Sequence, residues 1–521
     1  MGATSVFTHV AHSYDRTRKP SMSKIPKYAR PMLDKDLDRL TLLERAAQHV
    51  ARGAAPYGMA LIFLIFAAVF ALGFAADRTG SAIIIAAAAL AGYMALNIGA
   101  NDVTNNVGAA VGARAMTMTG ALVMAAFFEI AGAMIAGSEV TDTISSGILA
   151  PSLVGNPQTF IWIMMAALLA AALWINLATW ANAPVSTTHS IVGSVMGAAA
   201  SAMGTAAVNW QTIATITLGW VISPVLGGLI AAAILFLIYD LIVYRPDKIA
   251  QARRWVPILI GLMAGCFSCY LSLKTTGMGF TIISDRAVLF GLVIGTIAWL
   301  VARPIVSQQA VGLENRNQSL RKLFRMPLIG AAALLSFAHG ANDVSNAIGP
   351  LAAIVHTVMS NDLHTRMTAP LWVVTIGALG ISTGLLLFGP RLIRLVGTKI
   401  TKLNPMRAYC VSLSSAITVI TASKLGLPVS STHIAIGAVF GLGFFREWYN
   451  RHSKRRLEYM LMKSAEWQRK APKPSNADEV NRRRLVRRSH ILTIMGAWLV
   501  TLPVSAGLAA LIYRVMFALF R

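Results

Sequence analysis

The chain has 521 residues, of which 56% are hydrophobic and only 13% are charged, and its mean hydropathy is +0.61. This composition excludes a soluble globular protein and makes a lipid bilayer the main solvent of the chain. The formal net charge of +25 would suit a nucleic-acid-binding protein, but the basic residues lie between the apolar runs. That distribution is typical of membrane proteins that follow the positive-inside rule, so we expect no nucleic-acid partner.

From the amino end, a basic arm is followed by a series of apolar runs. Residues 1–56 are polar and basic without a signal-peptide pattern, so we expect a cytoplasmic arm, followed by an extra span within 57–80. Later runs of about 20 apolar residues can each cross a hydrocarbon layer of ~30 Å as a helix, and their lack of alternation excludes a β-barrel. The predicted crossings are 59–76, 81–98, 118–137, 159–178, 183–205, 211–240, 256–272, 287–303, 328–348, 370–389, 408–425, 428–445 and 489–517.

Two motifs occur twice in the chain. GANDVTNNVG at 99–108 matches GANDVSNAIG at 340–349 at seven of ten positions, and PVSTTHSIVGSVMG at 184–197 matches PVSSTHIAIGAVFG at 428–441 at eight of fourteen. The second copy follows the first by about 240 residues, which indicates an internal repeat. The predicted units are a first repeat over 81–245, linking spans and a basic loop over 246–325, and a second repeat over 326–521 with a basic insertion at 446–488.

The basic loops indicate how the repeats cross the membrane. Loops at 245–254, 303–325, 391–407 and 446–488 all fall on the cytoplasmic side if the amino terminus is inside and the chain makes about 12–13 crossings. On that count the two repeats have opposite orientations. We therefore predict an all-α polytopic membrane protein with two inverted-topology repeats and broken or hairpin helices at the midplane, the ground plan of secondary transporters.

Each copy of the GANDV motif puts a carboxylate inside an apolar run, where it is costly and needs partners. Asparagines three or four residues apart lie on the same helical face, so amide and carboxylate oxygens can converge. Such oxygens suit a small cation such as Na⁺, and the carboxylate can instead take up a proton. A polar contact that only holds helices together is the structural alternative. The predicted cation-binding residues are Asn101, Asp102, Asn105, Asn342, Asp343 and Asn346.

Each copy of the second motif begins with a proline, followed by hydroxyl side chains and a glycine-spaced apolar run. Proline in a first turn and a capping serine or threonine are typical of a helix start, so we predict a broken half-helix at membrane depth in each repeat. The N–H groups and the positive dipole end of two such helices could hold one tetrahedral oxyanion, although ordinary hydroxyl packing at a kink is the alternative. The predicted anion-binding residues are Ser186, Thr187, Thr188, Ser430, Ser431 and Thr432.

Three further polar residues are candidates for an auxiliary role. Glu129 lies inside the apolar run 118–137 and is either a coupling or gating residue or a buried interhelical hydrogen-bond partner. His189 and His433 end the two hydroxyl motifs, where each could donate to the anion, relay a proton or serve structure alone. An oxyanion beside two aspartates would be repelled by several kcal/mol at low dielectric constant, so we expect anion and cation to bind together.

The duplicated GANDV motif resembles the signature of the inorganic phosphate transporter (PiT) family, and the likeness runs from about Ser81 to Tyr513 and includes GARAMT at 112–117. The resemblance implies import of inorganic phosphate by symport with Na⁺ or H⁺ through alternating access, with no cofactor. It also implies that phosphate binds at the six hydroxyl residues and that the cation binds at the asparagines and aspartates. We further expect a multi-pass protein of the bacterial inner membrane, with a homodimer as the candidate assembly.

Two other functions are open at this point. A sulfate or related oxyanion permease could use the same scaffold, since no motif residue separates the two tetrahedral anions. From another class, a non-transporting membrane receptor could use the basic segment 446–488 to contact an acidic partner or anionic lipid. An enzyme is not expected, because neither His189 nor His433 pairs with a motif acid at metal-ligand spacing and no Ser-His-Asp order is present.

Overall fold

The computed structural model describes residues 31–76, 80–149, 155–181, 183, 185–274, 284–360, 368–399, 403–466 and 488–520. Within these ranges all regular elements are helices, apart from an isolated antiparallel bridge between Leu149 and Val208. Residues 1–30 of the predicted arm, Pro184 of the first hydroxyl motif and 467–487 of the basic insertion lie outside the described residues. The chain forms two compact units, and the second, Met59–Arg521, contains both pairs of motifs.

The helices follow the apolar runs, with short helices at the breaks between them. They are α1 (Pro31–Ala75), α2 (Ser81–Asn106), α3 (Gly108–Gly112), α4 (Met118–Ala136), α5 (Ser138–Asp142), α6 (Pro157–Trp180), α7 (Thr187–Met203), α8 (Trp210–Ile238), α9 (Lys248–Lys274), α10 (Ser284–Gln309), α11 (Asn317–Leu323), α12 (Arg325–Asp343), α13 (Ser345–Ser360), α14 (Leu371–Lys399), α15 (Pro405–Lys424), α16 (Ser431–His452), α17 (Lys454–Glu466) and α18 (Arg488–Phe520). Turns of π-helix follow α5 over Thr143–Gly147 and α8 over Tyr239–Val243.

Nine of the described helices are long and apolar enough to cross a membrane, and α11 with α12 and α13 forms a tenth candidate that is bent by 50°. The prediction of an all-α membrane protein is thereby confirmed. The remaining predicted crossings fall on α7, α15 and α16, which length and apolarity alone do not select, so the total of 12–13 stays a prediction. The nine candidate spans are Gly53–Ala75, Ser81–Asn106, Met118–Ala136, Pro157–Trp180, Trp210–Val243, Lys248–Lys274, Asp285–Gln309, Leu371–Arg394 and Leu499–Leu519.

The helices of the two repeats pack in a reciprocal pattern. Helix α2 of the first repeat packs along α14 of the second, and α12 of the second packs along α4 of the first. Likewise α7 packs along α18, while α16 packs along α8. Each of these contacts has a counterpart in which the repeats exchange roles. The packing therefore supports the duplication, whereas the opposite orientation of the repeats and their limits stay predictions.

Glycines let the two half-helices approach their partners closely. On α16, a side chain at Gly437 would meet the backbone of Pro224 on α8. The matching residue of α7, Gly193, lies against the backbone of Leu502 on α18 in the same way. Because lipid is as apolar as the helix surface, close packing of small residues supplies much of the attraction between helices in a bilayer.

We expect Gly437→Ala to destabilise the protein, because the added methyl group would overlap the backbone of Pro224. Overpacking of this kind costs about 1–3 kcal/mol. The matched control is Gly507→Ala on α18, whose methyl group would enter open space and whose helix propensity is higher than that of glycine. Thermal unfolding of both purified variants in detergent should give a lower Tm for Gly437→Ala alone, and equal midpoints would contradict the close packing.

Candidate functional site

The two motif aspartates lie where helices end. Asp102 is in the last turns of α2, which ends at Asn106, and Asp343 is the last residue of α12, with α13 beginning at Ser345. Both aspartate side chains are fully buried, with an exposed fraction of 0%. A carboxylate withdrawn from water in an apolar bundle needs hydrogen-bond donors or a counter-charge. The neighbouring helix ends supply such groups.

Asp102 accepts hydrogen bonds from both repeats. Its Oδ2 accepts from Thr187 Oγ1 at 3.0 Å, on α7 of its own repeat, and its Oδ1 accepts from Thr432 Oγ1 at 3.1 Å, on α16 of the other. The amides of Asn101 and Asn105 also donate to Oδ1, at 2.9 Å and 3.3 Å. Two hydroxyls and two amides therefore surround this carboxylate.

Asp343 has the corresponding set of partners. Its Oδ2 accepts from Ser431 Oγ at 2.8 Å, and its Oδ1 accepts from Thr188 Oγ1 at 3.5 Å and from Asn346 Nδ2 at 3.4 Å. These hydroxyl residues occupy the same motif positions as the two that contact the first aspartate. The structure thus brings both aspartates and both hydroxyl motifs into one buried cluster, which we call the aspartate cluster.

Two asparagines tie the aspartate cluster to the chain that leads into each half-helix. Asn101 Nδ2 donates to the Val185 carbonyl at 3.0 Å. Asn342 Nδ2 donates to the Leu427 carbonyl at 3.2 Å, and its Oδ1 accepts from the backbone N–H of Val429 at 3.3 Å. The amides of these residues are therefore engaged with backbone groups, which fixes where α7 and α16 begin.

The two serines of the hydroxyl motifs act as helix caps. Ser186 Oγ accepts from the backbone N–H of His189 at 3.1 Å, and Ser430 Oγ accepts from that of His433 at 3.3 Å. Both serines have extended backbone angles at the N-cap, which confirms that the half-helices start at these motifs. The first two N–H groups of each helix have no acceptor within the helix. They belong to the residues whose hydroxyls contact the aspartates.

The histidines of the hydroxyl motifs lie where the half-helices meet. The ring of His189 lies 3.8 Å from the ring of Trp220 and 4.5 Å from that of His433, measured between centroids. Trp220 Nε1 donates to the carbonyl of Pro428 at 3.0 Å. The rings therefore pack the start of α7 against the start of α16. A role for either histidine toward an anion or a proton stays a prediction.

A histidine outside the four motifs, not among the residues predicted from the sequence, joins the cluster. His339 is fully buried on α12, with Nε2 at 3.0 Å from Asp343 Oδ2 and 3.6 Å from Asp102 Oδ2. Its Nδ1 lies 3.1 Å from Oε1 of Glu129, which also accepts from Asn106 Nδ2 at 2.6 Å. Because both ring nitrogens face carboxylates, the imidazole donates to both sides only in its doubly protonated, cationic form.

The pair formed by Glu129 and His339 breaks the symmetry of the two repeats. Gly340 lies against the backbone of Glu129, just as Gly99 lies against the backbone of Ile381. Ile381 is therefore the counterpart of the glutamate, and Ile98, just before Gly99, is the counterpart of the histidine. Comparison of the repeats selects residues that recur, so it could not find this pair. The available signal was a lone histidine inside an apolar run, next to a motif.

The aspartate cluster has the chemistry of a cation site. One ligand atom from each of Asp102, His339 and Asp343 lies within 4.8 Å of the others. Carboxylate, amide and hydroxyl oxygens are hard ligands that suit a small cation. A proton on a carboxylate or on the ring would supply the same positive charge. The aspartate cluster can therefore bind either Na⁺ or H⁺.

We expect Glu129→Ile and His339→Ile each to lower the Tm, because each leaves a buried polar partner unmatched at a cost of about 1–3 kcal/mol. The double variant copies Ile98 and Ile381 at the symmetric positions, so its loss should be smaller than the two single losses together. Thermal unfolding of the purified variants measures this coupling, with Ile381→Leu as the control at the symmetric position. Strictly additive losses would contradict an interacting pair.

The comparisons with known proteins agree with this geometry. A profile described as the Phosphate transporter family matches residues 98–509, which include the whole aspartate cluster. A protein of Helicobacter pylori (strain ATCC 700392 / 26695) named "Putative phosphate permease" is 41% identical over 522 residues, covering 92% of this chain and 98% of its own length. A protein of the same name from Haemophilus influenzae is 33% identical over 378 residues, covering 71% of this chain and 90% of its own length.

A solved structure has the same fold. The structure named "The sodium-dependent phosphate transporter" matches with a TM-score of 0.74 and 32% sequence identity, covering 84% of this chain and 100% of that chain. The duplicated motifs, the profile and the fold all point to one group of membrane proteins. The chain belongs to the phosphate transporter family.

Proposed function

We propose that this chain is a secondary active transporter that imports inorganic phosphate by symport with Na⁺ or H⁺ through alternating access. The observation that carries the proposal is the meeting of two half-helix ends and two aspartates in one buried cluster, to which both repeats contribute. Family membership supports phosphate as the substrate. The matching structure is named as sodium-dependent, which favours Na⁺ as the coupling ion.

Phosphate would bind between the first turns of α7 and α16. A capping serine uses its oxygen as an acceptor, so its hydroxyl hydrogen is left to donate to an anion. The first N–H groups of each helix and the positive end of its dipole add further attraction for negative charge. The proposed phosphate ligands are Ser186, Thr187, Thr188, Ser430, Ser431 and Thr432.

Competition for the hydroxyl hydrogens gives the coupling a structural basis. The hydroxyls of Thr187, Ser431 and Thr432 donate to the aspartates. Each hydroxyl has one hydrogen, so it cannot donate to a carboxylate and to phosphate at the same time. A cation at Asp102 or Asp343 would take over the carboxylate oxygens and release the hydroxyls. Cation binding would thus prepare the anion site.

Electrostatic repulsion also favours binding of the cation before phosphate. A negative charge about 5 Å from an ionised carboxylate is repelled by about 3 kcal/mol at an effective dielectric constant of about 20. A cation or proton at the carboxylate removes that repulsion. The proposed cation ligands are Asn101, Asp102, Asn105, Asn342, Asp343 and Asn346.

Glu129 and His339 would act as auxiliary coupling residues. The doubly protonated ring of His339 would supply one positive charge beside both aspartates, and Glu129 would hold the ring in position through the 3.1 Å contact. The auxiliary roles of His189 and His433 are proposals of the same kind. The basic loops and the bacterial relatives favour a bacterial inner membrane with the amino terminus in the cytoplasm. The homodimer stays a prediction.

Replacing either aspartate by asparagine should lower phosphate uptake about tenfold or more, because the cation loses a charged ligand. Asp102→Asn and Asp343→Asn would be compared with the wild type by uptake of labelled phosphate into liposomes, at equal amounts of folded protein. Asp285→Asn in the first turn of α10 is the matched control, since that side chain is exposed and far from the motifs in sequence. Wild-type uptake by both cluster variants would contradict the assigned role.

Imposed gradients should identify the driving ion and the anion. We expect an inward Na⁺ gradient to drive accumulation of labelled phosphate in liposomes, and a pH gradient alone to drive less. Excess unlabelled phosphate should abolish the signal, whereas excess sulfate should leave most of it. Equal inhibition by both anions would favour the oxyanion permease. Failure of both gradients to drive accumulation would contradict symport altogether.

A further inference from the structure

Helix α17, in the basic insertion, has two different sides. Arg455 and Tyr459 are partly buried against the rest of the protein, whereas Leu457 and Met460 have exposed fractions of 61% and 50%. Leu461 and Met462, with exposed fractions of 59% and 55%, follow on the same helix. Residues three or four apart lie on the same side of a helix, so Leu457, Met460 and Leu461 form one stripe. A helix whose polar side faces the protein and whose apolar side faces outward is unusual in water. It is typical of helices that lie in a membrane interface.

Two contacts hold this helix against the ends of two candidate spans. Lys248 Nζ donates to the hydroxyl of Tyr459 at 2.7 Å and to the carbonyl of Val243 at 2.6 Å, and it lies 3.9 Å from the centre of the tyrosine ring. Arg455 forms an ion pair with Asp240. Candidate spans end at Val243 and begin again at Lys248. The anchors of α17, Lys248 and Asp240, therefore lie at or within about one helical turn of the break between two candidate spans, where we expect lipid headgroups to begin.

The positive charge of the insertion favours contact with anionic lipids. Residues 446–488 contain fourteen lysines and arginines against five acidic residues. Arg451 and Lys454, at the junction of α16 and α17, are exposed and precede Leu457 by six and three residues. Basic residues beside an apolar stripe bind anionic headgroups while the apolar side chains enter the acyl region. A neutral partner surface would not make use of this charge.

We propose that α17 lies on the anionic lipid surface of the membrane, with Leu457 and Met460 among the acyl chains and Arg451 and Lys454 at the headgroups. This contact is separate from the phosphate site, since none of these residues belongs to the aspartate cluster. Through the hydrogen bond between Lys248 and Tyr459, the lipid-bound helix also holds the turn between α8 and α9. The lipid surface is thereby linked to two membrane spans.

The test uses the full chain in nanodiscs that each hold one copy. An environment-sensitive fluorophore is attached to Leu457→Cys or Met460→Cys in a background without native cysteines (Cys266→Ser, Cys269→Ser, Cys410→Ala), after phosphate uptake by that background has been verified. The matched control is Glu458→Cys, an exposed acidic position that lies about 100° from Leu457 and about 160° from Met460 around the helix. Discs contain phosphatidylcholine alone or mixed with phosphatidylglycerol, each with and without a quencher on the acyl chain.

With phosphatidylglycerol present, we expect quenching at 457 and 460 to exceed that at 458 by about twofold, and to fall in phosphatidylcholine alone or at high salt. Equal quenching at the three positions, or quenching that ignores lipid charge, would overturn the proposal. The proposal would also be overturned if the fluorophore were shielded from water only in discs that hold two copies, because the stripe would then bind a second copy of the chain. If the fluorophore were shielded from water but not quenched by lipid, the stripe would pack against another segment of the same chain, and this result would also overturn the proposal.

Discussion

Two carboxylates buried in a lipid-embedded bundle set the conditions for the rest of this structure. Water, the usual partner of an ionised carboxylate, is replaced around Asp102 and Asp343 by hydroxyls, amides and one imidazole. Most of these donors belong to residues at or near helix ends, where α2 and α12 stop and where α7 and α16 begin. Helix ends are also the places where backbone N–H groups are left without partners. The broken helices are therefore part of the site's construction.

Duplication supplies hydrogen-bond donors to both aspartates, and His339, which departs from the repeat, adds an ionisable group. Each aspartate takes one hydroxyl from its own repeat and one from the other, so neither half can complete its site alone. His339 Nε2 lies closer to Asp343 than to Asp102, at 3.0 Å and 3.6 Å. Since Ile98 and Ile381 stand at the symmetric positions of His339 and Glu129, the two carboxylates have different surroundings. Two cations bound there would experience different fields.

Close packing away from the site keeps these distances short. Helix α16 begins at Ser431, whose hydroxyl lies 2.8 Å from Asp343, and it packs on α8 through Gly437 two turns later. A shift of one residue along a helix is about 1.5 Å, enough to turn such a hydrogen bond into a contact beyond 3.5 Å. The backbone contact between Gly437 and Pro224 opposes that shift. Small residues on the lipid-embedded crossings therefore fix the geometry of the polar cluster.

The sequence by itself determined the helical membrane class, the duplication, the starts of α7 and α16, and the aspartates and hydroxyls that meet in the cluster. Apolar length, capping residues and repeated motifs are local signals, so they can be interpreted without coordinates. Only the tertiary structure decided that each aspartate accepts hydrogen bonds from both repeats and that His339 bridges Glu129 to the aspartates. Contacts between residues 155–330 positions apart depend on how helices cross, and an unrepeated residue carries no signal in a comparison of repeats.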